Sequence, residues 1–238
     1  MVERRLNKSL PYCHLDIQSL VTEYVGGFSV ERTLKLFPRK RLPEVIARTY
    51  FRQLISAVIT LYDHDILIRE IKIESLQLTP DMRHIKIVDF SSAVLLPPPS
   101  DLSNKELTPE YSAPELLEGC ENFRAEICVW NLGIILYYLI VGTLPFQSPY
   151  FDHNRRKRIM RFTARGLTYK HAQAMQHLTQ TCKVFLRQTI EPKAILRIPL
   201  WEVPQNEWVT HQGKLVFQPF RPCGMHIKSE FETACVSL

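Results

Sequence analysis

Nowhere in the 238 residues do two cysteines form a C-x-x-C pair. The six (Cys13, Cys120, Cys128, Cys182, Cys223, Cys235) are scattered, which excludes zinc-ligand spacing and the disulfide framework of a small secreted domain. Reduced thiols in an intracellular compartment, cytoplasmic and also nuclear, are expected. No apolar run reaches the ~20 residues of a membrane span. The longest, residues 132–141, predicts a buried core helix, and no membrane association is expected. The opening Met-Val-Glu-Arg-Arg has no apolar stretch behind it, hence no signal peptide. Interleaved aromatic and basic residues are lacking and the net charge is a modest +6, so nucleic acid is not an expected partner. Arg155-Arg156-Lys157-Arg158 is the densest basic cluster. It reads as a solvated surface turn, or more sharply as a patch for nuclear import or an acidic partner.

What is present is material for one sizeable core: 45% of the residues are hydrophobic. The β-branched run at 20–25, ended by Gly26-Gly27, predicts a strand and a turn. Residues 29–37 predict a short helix. Pro43-Glu44 opens a long one, in which Ile46, Tyr50, Leu54, Ala57, Val58 and Leu61 recur at helical spacing as one buried face. Residues 66–68, 76–78 and 85–88 predict short strands. The apolar stretch 125–141 predicts a central helix capped by Gly142. Residues 168–188 predict another helix, and 206–238 a tail.

The stretch Ile68-Arg69-Glu70-Ile71-Lys72-Ile73-Glu74-Ser75 is followed by Asp89-Phe90-Ser91. Further on come TPEYSAPE at 108–115, VWNLGIILY at 129–137 and GTLPF at 142–146. In this order the motifs resemble a Ser/Thr protein kinase of the calmodulin-kinase-like branch, similar to the PAS-domain kinase and Pim group. That family places His-Arg-Asp, Asn and Asp-Phe-Gly in these loops. Here Ile68 stands for the His, Glu70 for the catalytic Asp, Ser75 for the Asn and Ser91 for the Gly.

The resemblance implies an α+β fold. Its main part is a helical kinase C-lobe with short strands at the hinge and catalytic loop, the N-lobe being largely absent. It divides the chain into a remnant at 1–19, the kinase-like domain at 20–209 and a tail at 210–238. His14 to Ile17 reads either as a remnant of the helix C to strand 4 junction or as an ordinary loop. No Gly-x-Gly-x-x-Gly loop and no Val-Ala-x-Lys strand precede Thr22, so the usual phosphate cradle and its Lys–Glu anchor are missing.

Carried over residue by residue, the resemblance makes Glu70 and Lys72 the catalytic candidates and Asp89 and Ser75 the metal ligands. Glu23 and Val25 become the hinge residues that would meet ATP. Each also has a plainer reading: Asp89 capping a turn, Glu70 a polar loop residue, Ser75 a filler, Lys72 paired with a carboxylate. Cys128 stands where most of the family carries an Asp that bonds the catalytic-loop backbone. Arg69, which would pair with a phosphate, is expected to pair with Glu110 or Glu115. Glu115 needs an arginine, and Arg197 stands two residues late for that role. Ser103 reads as a phosphorylation site and Thr108 as structural.

Three functions follow. A catalytically impaired pseudokinase would bind a protein partner, an active kinase or another signalling protein. An ATP- and Mg2+-dependent protein serine/threonine kinase would have its N-lobe outside this chain. A decayed paralogue would fold poorly, with Leu76 and Leu78 turned to water.

Overall fold

A computed structural model describes residues 22–98, 107–120, 124–150 and 153–211. The remnant at 1–19, Ser103 and the tail from 212 lie outside them.

Residues 22–26 form no strand. Tyr24 is 93% exposed, and a β-branched run becomes a strand only where it finds a partner to pack on. The strand starts later, as β1 (Phe28–Ser29), paired antiparallel with β3 (Leu76–Leu78), Phe28 opposite Leu78. A Cβ on Gly27 would stand 1.6 Å from Leu78 O, so only glycine lets the chains approach here. β3 pairs in turn with β4 (Ile85–Ile87), Leu76 opposite Ile87. A second sheet joins β2 (Ile66–Ile68) to β5 (Ala93–Leu95), Ile68 opposite Ala93.

Helix α1 (Val30–Leu34) follows β1, with the Ser29 hydroxyl accepting from Arg32 N–H. Together β1 and α1 cover β3. Leu76 and Leu78 are therefore buried, not turned to water as a missing roof would leave them. Helix α2 (Glu44–Tyr62) begins after Pro43. It buries Tyr50, Leu54 and Val58 as expected, but also Ala47, Phe51 and Ile55. Ile46, Ala57 and Leu61 are only partly buried. The buried face is shifted because α2 packs against a helix and against strands at once.

After the short α3 (Pro114–Leu117) comes that helix, α4 (Ala125–Val141), buried almost all round as an apolar helix must be. Gly142, at φ 90°, ends it in the left-handed region. The basic cluster is not a solvated turn. It opens α5 (Arg155–Thr163). Arg155 Nε donates to Glu110 at 2.7 Å, Arg156 donates to the carbonyl of Leu116, and Arg158 donates to Ser148 and lies over the Tyr150 ring.

The helix expected over 168–188 is two: α6 (Tyr169–Ala174) and α7 (Gln180–Thr189). Thr168 and His171 form a capping box at the first, and the Thr179 hydroxyl caps the second by accepting from Cys182 N–H. Nor is 206–211 a tail. Helix α8 (Glu207–Thr210) carries Trp208, fully buried and stacked on Phe185 at 5.5 Å. Trp208 Nε1 donates to Glu44 at 2.7 Å. Glu44 also accepts from Thr179 N–H and hydroxyl and from Arg48, tying α2, α7 and α8 at one point.

Candidate functional site

The site is built from two loops that the β2–β5 pairing sets side by side. The first, leaving β2, carries Glu70, Lys72 and Ser75. The second, between β4 and β5, carries Asp89. Ser92 staples them: its hydroxyl donates to Glu70 O at 2.7 Å and accepts from Glu70 N–H at 3.3 Å. Arg69 donates from its backbone N–H and from Nε to Ser92 O, each at 3.2 Å.

The core holds the first loop from behind. Asn131, fully buried on α4, accepts from Ile71 N–H through Oδ1. Its Nδ2 donates to Arg69 O at 3.3 Å. Cys128 adds a thiol contact to Ile68 O at 3.6 Å, and burial pushes that thiol up to about 12. The backbone bonds expected at position 128 are thus made one helical turn later, by Asn131. Sequence reasoning missed it, although the signal is there: Asn131 is an amide inside an otherwise apolar run.

Glu70 points inward, its side chain 1% exposed. One carboxylate oxygen accepts from Thr108 N–H at 2.5 Å. The other stands 3.1 Å from Lys72 Nζ, an ion pair whose geometry falls short of a hydrogen bond. Asp89 sits nearer the surface. It accepts from Ser91 N–H at 2.9 Å. That bond, then the Ser91 hydroxyl, the Lys72 charge and the Ser75 hydroxyl, hold its carboxyl below the usual range despite partial burial. Four of the six sequence candidates therefore come together. Glu23 and Val25 do not. Glu23 pairs with Lys86 on β4, and no described hydrogen bond or ion pair joins either residue to the cluster.

The anchor expected of Arg197 is present. Its Nη1 and Nη2 donate to the two Glu115 oxygens at 2.8 and 3.1 Å, with the guanidinium over Trp130. Glu110 is held by Arg155.

The donor set fits a divalent ion badly. Mg2+ demands near-octahedral oxygen ligation. Asp89 already accepts from the Ser91 N–H, and the Lys72 charge helps to hold its carboxyl low. Among the described residues no group of three or more His, Cys, Asp and Glu converges as a metal site. None of the described helices is long and apolar enough to cross a membrane.

The protein kinase domain family matches residues 13–209. Serine/threonine-protein kinase SIK1 of Mus musculus is 32% identical over 203 residues, 85% of this chain and 24% of that protein. Hormonally up-regulated neu tumor-associated kinase of Mus musculus is 34% identical over 187 residues, 76% of this chain and 25% of that protein. Serine/threonine-protein kinase SIK2 of Gallus gallus is 30% identical over 194 residues, 82% of this chain and 23% of that protein. The chain spans about a quarter of the length of these curated relatives.

Proposed function

The chain belongs to the protein kinase domain family, and from that premise we propose that it is a catalytically impaired member, a pseudokinase acting as a regulatory platform for another signalling protein. The observation that carries this is the state of Glu70. A general base must come within hydrogen-bond reach of the hydroxyl it activates. Glu70 has 1% of its side chain exposed and is tied to Thr108 N–H and Lys72. Its extra methylene compounds the problem, since a catalytic group misplaced by ~1 Å can cost ~10²-fold. Ile68, Ser75 and Ser91 depart from the family at three further positions, and these 238 residues contain no Gly-x-Gly-x-x-Gly.

The platform half of the reading rests on an apolar cleft of about 350 Å³. It lies between α2 and β4 and is lined by the apolar Ala57, Leu61, Ile85, Ile87 and Phe90 together with Thr60 and the charged Lys86. A partner, an active kinase among the candidates, would bury that surface. Phosphotransfer from Mg-ATP by highly purified protein is the test. Transfer no greater than that of Asp89→Ala is expected, and transfer that Asp89→Ala abolishes overturns the reading.

A second reading keeps the chain as part of an ATP- and Mg2+-dependent protein serine/threonine kinase. The convergence of Glu70, Lys72, Ser75 and Asp89 and the Arg197–Glu115 anchor favour it. The same assay on a longer product of the gene separates the two.

A further inference from the structure

Residues 168–178, between α5 and α7, are fastened to the end of α4 by two imidazoles. His171 Nδ1 accepts from Thr168 N–H at 2.8 Å, and its Nε2 stands 2.9 Å from Pro145 O. His177 Nδ1 accepts from Arg41 Nη1 at 3.0 Å, and its Nε2 stands 2.9 Å from Ile140 O. Ile140 lies in the last turn of α4, where carbonyls need partners from outside the helix. Met175 and Leu178 are buried beside these bonds.

The partners fix the protonation of both rings. A backbone N–H and a guanidinium only donate, so each Nδ1 is a bare acceptor. A carbonyl only accepts, so each Nε2 carries the proton. Both rings are therefore neutral while the segment is fastened. A further proton on His171 would set an N–H against the Thr168 N–H. The Thr168 hydroxyl, 3.0 Å from the same nitrogen, can turn to meet it, but the backbone N–H cannot turn away. A cation there also stands in the first turn of α6, the wrong end of a helix for positive charge. The end of α4 suits a cation at His177, but Arg41 already supplies one, and a second would face it at 3.0 Å.

The surroundings add no negative charge. The rings against His171 are Tyr137 and Phe146, both in T-shaped contact. Burial pushes the Tyr137 phenol up to about 12, so it stays neutral across the histidine range. Lys170 precedes His171, and Lys183 donates to the carbonyl of Gln176 beside His177. Among the described residues no hydrogen bond or ion pair joins either ring to a carboxylate. Glu44, bonded to Thr179 two residues past His177, is taken up by its own donors.

We propose that His171 and His177 form a pH-operated latch. Neutral, they clamp residues 168–178 to the end of α4. Protonated, they release the segment and uncover Met175 and Leu178. The latch is whole above the ordinary histidine range, centred at about 6.5, and opens as pH falls through it. It does not depend on the platform reading or on whether the chain transfers phosphate.

Amide hydrogen exchange of the whole chain on either side of that range, at about pH 7.5 and about pH 5.5, is the test. Protection factors remove the intrinsic pH dependence of exchange. The amides of Ala172, Met175 and Leu178 are hydrogen-bonded within the segment, and those of Lys183 and Ile190 within and at the end of α7. In wild type the first three are expected to lose about tenfold in protection in acid, while the α7 pair keep theirs. A glutamine at this place in a capping box accepts from the N-cap N–H at any pH. His171→Gln/His177→Gln is therefore expected to keep the same protection on both sides, whereas His171→Ala is expected to lack it on both. Should the double variant not fold, proton–nitrogen NMR of the wild-type imidazoles decides, and the Nε2–H tautomer is expected for both at about pH 7.5. An Nδ1–H tautomer at His171 overturns the proposal. So does segment protection that acid leaves unchanged, an acid loss that the double variant shares, or an equal loss in α7.

Discussion

Glu44 and Glu70 are both carboxylates withdrawn from water, and the protein treats them in opposite ways. Glu44 is saturated. Thr179 donates an N–H and a hydroxyl, Trp208 an indole N–H and Arg48 a guanidinium N–H. Glu70 is the more buried of the two, yet one of its oxygens makes no hydrogen bond and faces only Lys72. A group kept for the fold is satisfied from every side. A group inherited for its position is tolerated with less, which is where local rules are expected to fail. The fold of this chain is therefore carried by the α2–α7–α8 junction, while the loop site is held mostly by its backbone.

The sharpest way to break that contrast is the same exchange at both places. Glu44→Gln turns one acceptor oxygen into a donor facing the Thr179 N–H and leaves buried Arg48 without its counter-charge. It should cost about 3–5 kcal/mol, a fall in Tm of about 10 °C by scanning calorimetry. Asn131→Ala comes next. It strands Ile71 N–H and Arg69 O in the core, for about 2–4 kcal/mol, and amide exchange at Ile71 should speed up more than exchange in α7. Glu70→Gln is expected to cost least, under about 1 kcal/mol. The new amide can occupy the oxygen that has no hydrogen bond, the Thr108 bond survives, and Lys72 is exposed enough to swing out. A Glu70→Gln loss equal to that of Glu44→Gln would erase the distinction between the two regions.

The sequence made some of this plain for physical reasons. Helix α4 was legible to its last residue, because an unbroken apolar run and Gly142 mark it at short range. Strands β3 and β4 were legible from apolar residues alternating with a polar one, Leu-Gln-Leu and Ile-Lys-Ile, and the cluster of Glu70, Lys72, Ser75 and Asp89 from the resemblance of its loops to a kinase's. What failed depended on partners far away in the chain. Arg155 reads as solvated until Glu110 is placed beside it. Trp208 reads as tail until Phe185 and Glu44 appear. Of the strand expected at 20–25, the described residues 22–25 pair with no other strand, and Leu76 and Leu78 were misjudged because the cover from β1 and α1 was not foreseen. Asn131 was not legible because the position with a known family role is Cys128, whose thiol supplies the weaker of the two contacts.

Acid separates the two regions with the smallest effect and the clearest sign. The usual carboxyl values are about 4.3 for Glu and about 3.9 for Asp. Burial pushes Glu44 up, but the donors from Thr179 and Trp208 together with Arg48 outweigh it and hold the group below its usual range. Asp89 is lowered chiefly by the Ser91 N–H. For a lowered carboxyl the unfolded chain binds the proton more readily than the folded one. Its contribution is complete above the unfolded value and is lost as pH falls through the folded value. Wild-type Tm should therefore drop on going from about pH 5 to pH 3. Glu44→Gln should flatten that limb, whereas Asp89→Asn should change it less, because Asp89 lies at the surface where solvent screens its partners. Equal flattening by the two would mean that the loop site contributes to the fold as strongly as the helix junction does.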